Sequence, residues 1–217
     1  MNAEQNSTIG DYFLTAAARW PDADFLIFPD YRHSYATMKS AMLSRAASFK
    51  ACGIVSGDHV GLLMANCPEY IECLLGLQCL GAIAVPMNAR YKPDELAYVV
   101  SNAELKLIVT HDLISEYADF GRLLLEAAAL SKPEGLEAMV MLGGQREGFM
   151  TQADFEAASV NVDESAVLET LRDVSSDDPA IMMYTSGTTA NPKGCPLHHN
   201  MLVQNGINMN QSCYFLT

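Results

Sequence analysis

Short apolar runs alternate with amphipathic segments along most of the chain, and this alternation limits the fold more than any other feature. The apolar runs have the length of strands buried on both faces, and they cover residues 59–64, 82–85, 105–110, 137–142 and 180–184. Amphipathic helices are predicted around them, over residues 8–19, 37–52, 68–80, 93–102, 113–130, 151–158 and 164–171. The pattern predicts a layered α/β fold, with a mostly parallel sheet flanked by helices and joined by right-handed crossovers.

Local signals support several of these boundaries. Ser7 or Thr8 can cap the first helix, Gly53 stands where the second helix needs a C-terminal cap, and Pro68 suits the first turn of the third. A polar connector at residues 173–178 is the predicted boundary between an N-terminal α/β subdomain, residues 1–172, and the start of a second subdomain, residues 173–217.

The composition argues against several functions. Half of the 217 residues are hydrophobic, enough for a core in one large domain or two small ones. The formal net charge of -13 argues against binding to nucleic acid or to an anionic membrane, since both require clustered cations. No apolar run approaches the ~18 residues of a membrane span, and no signal-peptide pattern is present, so a cytoplasmic protein is predicted. The six cysteines form no C-x-x-C pair and are predicted to be free thiols, mostly buried.

The last apolar run leads directly into the sequence YTSGTTANPKG at residues 184–194. Residues 185–194 contain four hydroxyl side chains, two glycines, one lysine and no carboxylate. Glycines let backbone N–H groups turn toward one point, hydroxyls add donors, and the lysine adds a positive charge. Such a loop at the end of a buried strand predicts the binding of a phosphate chain.

The loop could also be a simple connecting turn or a P-loop. The composition alone fits equally well a Ser/Thr-rich turn that only connects two strands. The order of residues does not fit the P-loop pattern G-x-x-x-x-G-K-S/T, because Gly194, and neither Ser nor Thr, follows Lys193.

The order of residues resembles the signature of the adenylate-forming superfamily, which includes acyl-CoA synthetases, aryl-CoA ligases, luciferases and peptide-synthetase adenylation domains. That signature is approximately Y/F-T-S-G-S/T-T-G-x-P-K-G-V/A with a histidine close behind. Ten of the eleven residues from Tyr184 to Gly194 fit it, and Ala190 departs from it where the family nearly always has glycine.

Segments upstream of the loop are similar to the same family. They read SYATMK at 34–39, CGIVSGDHVGLLMANCPE at 52–69 and LGAIAVPMN at 80–88, followed by Arg90 and by Glu95 with Leu96. With the loop they cover most of residues 8–205, and their spacing is closest to the medium-chain, aryl or general acyl-CoA synthetase branch. Structural roles are expected for Asn88 and Arg90.

The resemblance implies an ATP-dependent carboxylate–CoA ligase that uses Mg²⁺. A carboxylic acid would attack the α-phosphate of ATP, and the resulting acyl-adenylate would pass its acyl group to coenzyme A. Lys193 is the tentative catalytic residue, implied to balance phosphate or pyrophosphate charge. The residues implied to contact the ATP phosphates are Thr185, Ser186, Gly187, Thr188, Thr189 and Lys193. No protein metal ligand is predicted in this chain.

Three further positions near the loop carry expectations. His199 occupies the place of the family's histidine and is an accessory site candidate, although a packing or helix-starting role is favoured for it. Cys195 replaces a usual valine or alanine and is predicted to be buried. Gly194 is expected to let the backbone re-enter a strand.

Members of the family are usually more than twice as long as this chain. The segments for the adenine pocket, the Mg²⁺-binding glutamate, the ribose-binding aspartate, the hinge and the C-terminal catalytic lysine are expected downstream. The chain is therefore predicted to be the N-terminal part of such an enzyme, inactive in isolation and able to self-associate through uncovered surface. Two alternatives stay open: a non-catalytic nucleotide-binding or regulatory module, and a structural α/β assembly domain with a decayed loop.

Replacing Ala190 with glycine is expected to tighten ATP binding in the intact enzyme. If the position needs a positive φ, alanine costs about 1 kcal/mol or more there, and glycine removes that cost. Calorimetric titration of both forms with ATP and Mg²⁺ checks the prediction. Equal or weaker affinity of the Ala190→Gly variant would contradict it.

Overall fold

The computed structural model describes residues 7–29, 32–185 and 191–211. The α-helices in this part of the chain are α1 (Ile9–Arg19), α2 (Tyr35–Ala51), α3 (Pro68–Leu80), α4 (Pro93–Asn102), α5 (Phe120–Ser131), α6 (Gln152–Ala157), α7 (Glu164–Arg172) and α8 (His199–Met209). The strands are β1 (Asp24–Ile27), β2 (Arg32–Ser34), β3 (His59–Leu63), β4 (Ile83–Pro86), β5 (Leu107–His111), β6 (Ala138–Leu142), β7 (Met150–Thr151), β8 (Pro179–Thr185) and β9 (Lys193–His198).

Seven strands form one sheet in the order β7-β6-β5-β3-β4-β8-β9. All neighbouring pairs are parallel except β8 and β9, which form an antiparallel hairpin. Strands β1 and β2 form a separate antiparallel pair. The predicted α/β layering with a mostly parallel sheet is confirmed.

Each central strand buries residues on both faces of the sheet. Val60, Leu107 and Val109 belong to a core shared with α1, α2, α3 and α7, whereas Val85 and Ile108 belong to a second core shared with α4 and α5. Neighbouring residues of a strand point to opposite faces, so burial on both faces requires apolar side chains at successive positions. This requirement accounts for the continuous apolar runs in the sequence.

The predicted ends of two helices are confirmed by their caps. Thr8 accepts a hydrogen bond from the backbone N–H of Asp11 and so caps α1. Helix α3 begins at Pro68 and ends at Gly81, whose φ of 66° lies in the left-handed region that glycine adopts without strain.

The prediction of a helix from residue 113 was wrong. Residues 113–117 form turns, and α5 begins at Phe120. The Asp119 side chain caps the helix by accepting a hydrogen bond from the N–H of Arg122, at 2.9 Å, and it also pairs with Arg146 at 2.7 Å. These bonds set the start of α5, so the apolar pattern upstream of Asp119 is not used for a helix.

Three of the predicted free thiols lie deep in the core. Cys67, Cys73 and Cys79 are free and buried, and burial raises the pKa of each to about 12. Their thiols therefore stay protonated at neutral pH, which leaves them unreactive. Cys213 lies outside the described residues.

The sheet takes strands from both sides of residue 172, and the division into subdomains at that point stays a prediction. Within the described ranges, no helix combines the length and the apolar character needed to cross a membrane.

A charged cluster links three helices on one side of the sheet. Arg45 of α2 donates to Glu72 of α3 at 3.1 Å and to Glu156 of α6 at 2.9 Å. Arg45 and Glu72 are only 6% and 9% exposed. Breaking a buried ion pair costs far more than breaking an exposed one, because the remaining charge is left without water or a partner.

Replacing Arg45 with alanine is expected to lower the free energy of unfolding by about 3–5 kcal/mol, because Glu72 would stay buried without its partner. Urea unfolding followed by circular dichroism measures the loss. The control is Arg122→Ala, which removes an exposed pair with Glu126 and should cost less than about 1 kcal/mol. Losses of similar size in the two variants would contradict the prediction.

Candidate functional site

The loop that carries the sequence motif leaves the sheet at the carboxyl ends of its parallel strands. Strand β8 is parallel to β4, so its C-terminal end at Thr185 lies at the same edge as the ends of β3, β4, β5 and β6. In open α/β sheets, ligands bind in crevices outside this edge. The fold therefore places the motif where a ligand site is expected.

The base of the loop is a two-stranded hairpin. Thr185, the last residue of β8, lies opposite Lys193, the first residue of β9, and both are exposed. Ser186, Gly187, Thr188 and Thr189, to which phosphate contacts were assigned, lie outside the described residues, as does Ala190.

Lys193 and Thr185 are the two predicted phosphate contacts that the structure describes. Among the residues described, no carboxylate forms an ion pair with the Lys193 ammonium group. An exposed lysine at the mouth of a loop can turn its charge toward an anion without first breaking an internal pair.

The predicted burial of Cys195 was wrong. Cys195 lies on β9 and is exposed, with its Sγ 3.9 Å from the Oγ1 of Thr185. Strand β9 is the edge of the sheet within the described chain, and its first four residues are exposed. The position of Cys195 on this edge strand therefore leaves it exposed to solvent.

Gly194 is needed for close packing rather than for an unusual backbone turn. It lies within β9 opposite Tyr184, and it is not among the glycines with positive φ. A Cβ at this position would come within 2.9 Å of the Sδ of Met182 and 3.3 Å of the Cζ of Tyr184. The glycine lets these two side chains lie across the hairpin.

Two side chains from neighbouring helices bind to β8. The Nε2 of Gln78 in α3 donates to the carbonyl oxygen of Ala180 at 3.0 Å, in the buried part of the strand. The hydroxyl of Tyr184 donates to the Oδ1 of Asn102 in α4 at 2.8 Å. Sequence analysis did not single out Gln78 or Asn102, because each acts on a residue at least 82 positions away.

His199 is the first residue of α8 and is fully buried. Its Nδ1 accepts a hydrogen bond from the N–H of Ile9 at 3.2 Å, so the proton of the neutral ring is on Nε2. Burial lowers the pKa of His199 to about 4, although Asp178 and Asp11 oppose part of this effect. A neutral, buried ring that joins α1 to α8 matches the favoured packing and helix-starting interpretation.

Other polar residues at the carboxyl edge of the sheet follow β4 and β5. Asn88 accepts a hydrogen bond from the N–H of Arg90 at 2.9 Å, which is a local turn after β4. At the ends of β5 and β6, Asp112 packs so closely on Gly143 that a Cβ there would lie 2.2 Å from its Oδ1. Sequence analysis did not identify Asp112, since its closeness to Gly143 depends on the pairing of the strands.

Stability is expected to fall as the pH drops from about 6.5 to about 4, with His199 as a main cause. The unfolded chain takes up a proton on this histidine in that range and the folded chain does not, so the stability present above 6.5 is lost toward 4. The shift corresponds to roughly 3 kcal/mol. Unfolding free energies measured across this range should show a weaker pH dependence in His199→Gln.

His198→Gln is the matched control, since the His198 side chain is partly exposed and contacts the carbonyl of Asp177. This variant should change the pH dependence less than His199→Gln does, since His198 is the last of the causes that act on the pKa of His199. A pH dependence that is the same in His199→Gln as in the unaltered chain would contradict the assignment.

Comparisons with known proteins agree on one family. The model of the family described as "AMP-binding enzyme" matches residues 13–216. The acyl-CoA ligase sidI of Aspergillus fumigatus is 28% identical over 204 residues, which are 91% of this chain and 34% of that protein. The crotonobetaine/carnitine–CoA ligase of Citrobacter koseri is 34% identical over 166 residues, which are 76% of this chain and 30% of that protein.

A solved structure shares the fold. The anthranilate CoA ligase AuaEII in complex with anthranoyl-AMP superimposes with a TM-score of 0.75 at 23% identity, over 92% of this chain and 37% of that one. The chain thus spans about a third of the length of the relatives it matches.

Proposed function

Because the chain belongs to the AMP-binding enzyme family of adenylate-forming ligases, we propose that it forms the phosphate-binding part of an ATP-dependent carboxylate–CoA ligase. The observation that carries the proposal is the hairpin at the carboxyl edge, where Thr185 lies opposite an exposed Lys193 that has no acidic partner among the described side chains. Both residues flank the part of the motif rich in hydroxyls and glycine.

Two reaction steps are proposed for the whole protein. A carboxylate oxygen attacks the α-phosphorus of ATP, the bond to the β-phosphate oxygen breaks, and pyrophosphate leaves. The sulfur of coenzyme A then attacks the acyl carbon, loses its proton, and displaces AMP. The names of the CoA ligases among the relatives, and the acyl-adenylate held by AuaEII, support this sequence of steps.

The proposed role of this chain is to hold the phosphates and balance their charge. Lys193 would neutralise charge on the β- and γ-phosphates and on the departing pyrophosphate, which lowers the barrier to displacement. The hydroxyl of Thr185 and the donors of Ser186, Gly187, Thr188 and Thr189 would fix the direction of the phosphate chain. This arrangement keeps the leaving group in line with the attacking carboxylate.

Magnesium would add charge neutralisation when it accompanies ATP. Among the residues described, no group of three or more histidine, cysteine, aspartate or glutamate side chains is arranged to hold a metal ion. We propose that the ion reaches the loop bound to the phosphates of ATP. For His199 we propose a structural role, since its ring is buried between α1 and α8 and its pKa is low.

A nucleotide-binding module without activity and a structural domain with a decayed loop are the alternatives to this proposal. Binding of ATP with Mg²⁺ by this chain would count against the structural domain. Carboxylate-dependent exchange of pyrophosphate into ATP by the intact protein would distinguish an enzyme from a binding module. The proposed inactivity of the isolated chain is tested by the same exchange assay.

Replacing Lys193 with alanine is expected to weaken binding of ATP with Mg²⁺ about tenfold or more, because a hydrogen bond to a charged partner contributes roughly 1.5–3 kcal/mol. Isothermal titration calorimetry on both forms measures the change. Lys39→Ala is the matched control, since Lys39 lies on α2 and should leave the affinity unaltered. Failure of the unaltered chain to bind ATP, or equal affinities in the two lysine variants, would contradict the proposal.

A further inference from the structure

Strand β8 is held to the rest of the sheet unevenly along its length. Its pairing with β4 is confined to one position, Ile181 opposite Ala84. Pro86, two residues further along β4, has no backbone N–H and cannot donate a further ladder bond. Beyond Ile181, the ladder partner of β8 among the described strands is β9 alone. Side-chain contacts with the body of the domain therefore help to position the half of β8 that leads into the loop.

Tyr184 supplies the contacts that the ladder lacks. Its ring is half-buried and packs, together with Met182, against the core formed by α4 and α5. Its hydroxyl donates to the Oδ1 of Asn102 at 2.8 Å. Asn102 is the last residue of α4, a helix that belongs to the body of the domain.

Gly194 of β9 is the hairpin partner of Tyr184, so the contacts that hold Tyr184 also restrict β9. Tyr184 lies opposite Gly194, and a Cβ on Gly194 would be 3.3 Å from the Cζ of the tyrosine ring. The next pair of the hairpin is Thr185 with Lys193, the two ends of the loop. A contact that holds Tyr184 therefore holds both loop ends one residue away.

We propose that Asn102 is a positioning residue for the phosphate-binding loop, acting through its hydrogen bond to Tyr184. The proposal deepens the proposed function and rests on it for the identity of the ligand. Asn102 fixes the direction in which β8 and β9 leave the sheet, so that Thr185 and Lys193 face the same phosphate chain. The binding site is therefore already ordered before the nucleotide binds.

The direction of the hydrogen bond defines which substitutions keep it. Burial raises the pKa of the Tyr184 hydroxyl, and the nearby Tyr98 and Tyr91 raise it further, so the group stays a donor at neutral pH. Only the amide oxygen of Asn102 takes part. Asn102→Asp keeps an acceptor at this place, whereas Asn102→Leu removes the acceptor and keeps a side chain of similar size.

Hydrogen exchange of backbone amides tests the anchor without any ligand. Asn102→Leu and Tyr184→Phe should each speed exchange at residues 183–185 and 193–195 by roughly three- to tenfold. The double variant should add nothing, and Asn102→Asp should exchange like the unaltered chain. Amides of β3 serve as the internal reference for global unfolding.

Two control variants separate the anchor from general effects. Asn208→Ala changes an exposed asparagine on α8, and Tyr117→Phe changes a tyrosine that is 90% exposed. Neither should alter exchange in the hairpin. Unchanged exchange in Asn102→Leu, or independent and additive effects of the two single variants, would overturn the proposal.

Calorimetric titration with ATP and Mg²⁺ provides the second measurement. Asn102→Leu and Tyr184→Phe should weaken binding by a similar roughly three- to tenfold factor. Faster exchange with unchanged affinity would overturn the positioning role. The hydrogen bond would then stabilise the hairpin locally without affecting nucleotide binding. If the unaltered chain binds no nucleotide, the proposed function fails, and with it the role in phosphate binding, while the exchange data still decide whether Asn102 anchors the hairpin.

Discussion

Burial of the central strands on both faces is the constraint on which the rest of the structure depends. Strands β3, β4 and β5 place side chains in two separate cores, one beneath α1, α2, α3 and α7 and the other beneath α4 and α5. A strand with apolar side chains on both faces is stable only between two layers of helices. Each connection between parallel strands crosses one face of the sheet, so the helices along the chain are divided between its two faces.

The same constraint creates the candidate site. Parallel strands joined by helices all point the same way, so their carboxyl ends and the polar loops that follow them collect at one edge. The motif follows β8 and therefore reaches this edge, next to the turn after β4. Lys193 and Thr185 are exposed because they lie at the loop end of the hairpin, at the carboxyl edge of the sheet.

Polar side chains within and between the layers hold particular elements in place. Arg45 joins α2 to α3 and α6 through Glu72 and Glu156, and Gln78 joins α3 to β8. Asn102 binds the opposite half of β8 from the other side of the sheet. The strand that carries the loop is thus fixed by a helix from each layer, while its ladder to β4 is short.

How much could be predicted depended on how local each signal is. Continuous apolar runs and cap residues act within a few positions, so Pro68 and the apolar run at residues 59–64 defined their elements correctly. The loop motif is also local, because the residues to which phosphate contacts were assigned lie close together in the sequence. Family membership followed from the same residues and agrees with the comparisons over residues 13–216.

Contacts between distant residues could not be inferred in this way. Asp119 caps α5, which therefore begins later than expected, and its ion-pair partner Arg146 lies 27 residues further along. Cys195 is exposed because β9 is an edge strand, and edge position depends on the order in which strands pair. The partners of Tyr184 and His199, Asn102 and Ile9, lie 82 and 190 residues away. The amino-acid sequence by itself thus determines the layers and the loop motif. Which side chains hold that loop is decided only by the packing of the layers, because such contacts have no period or spacing in the sequence.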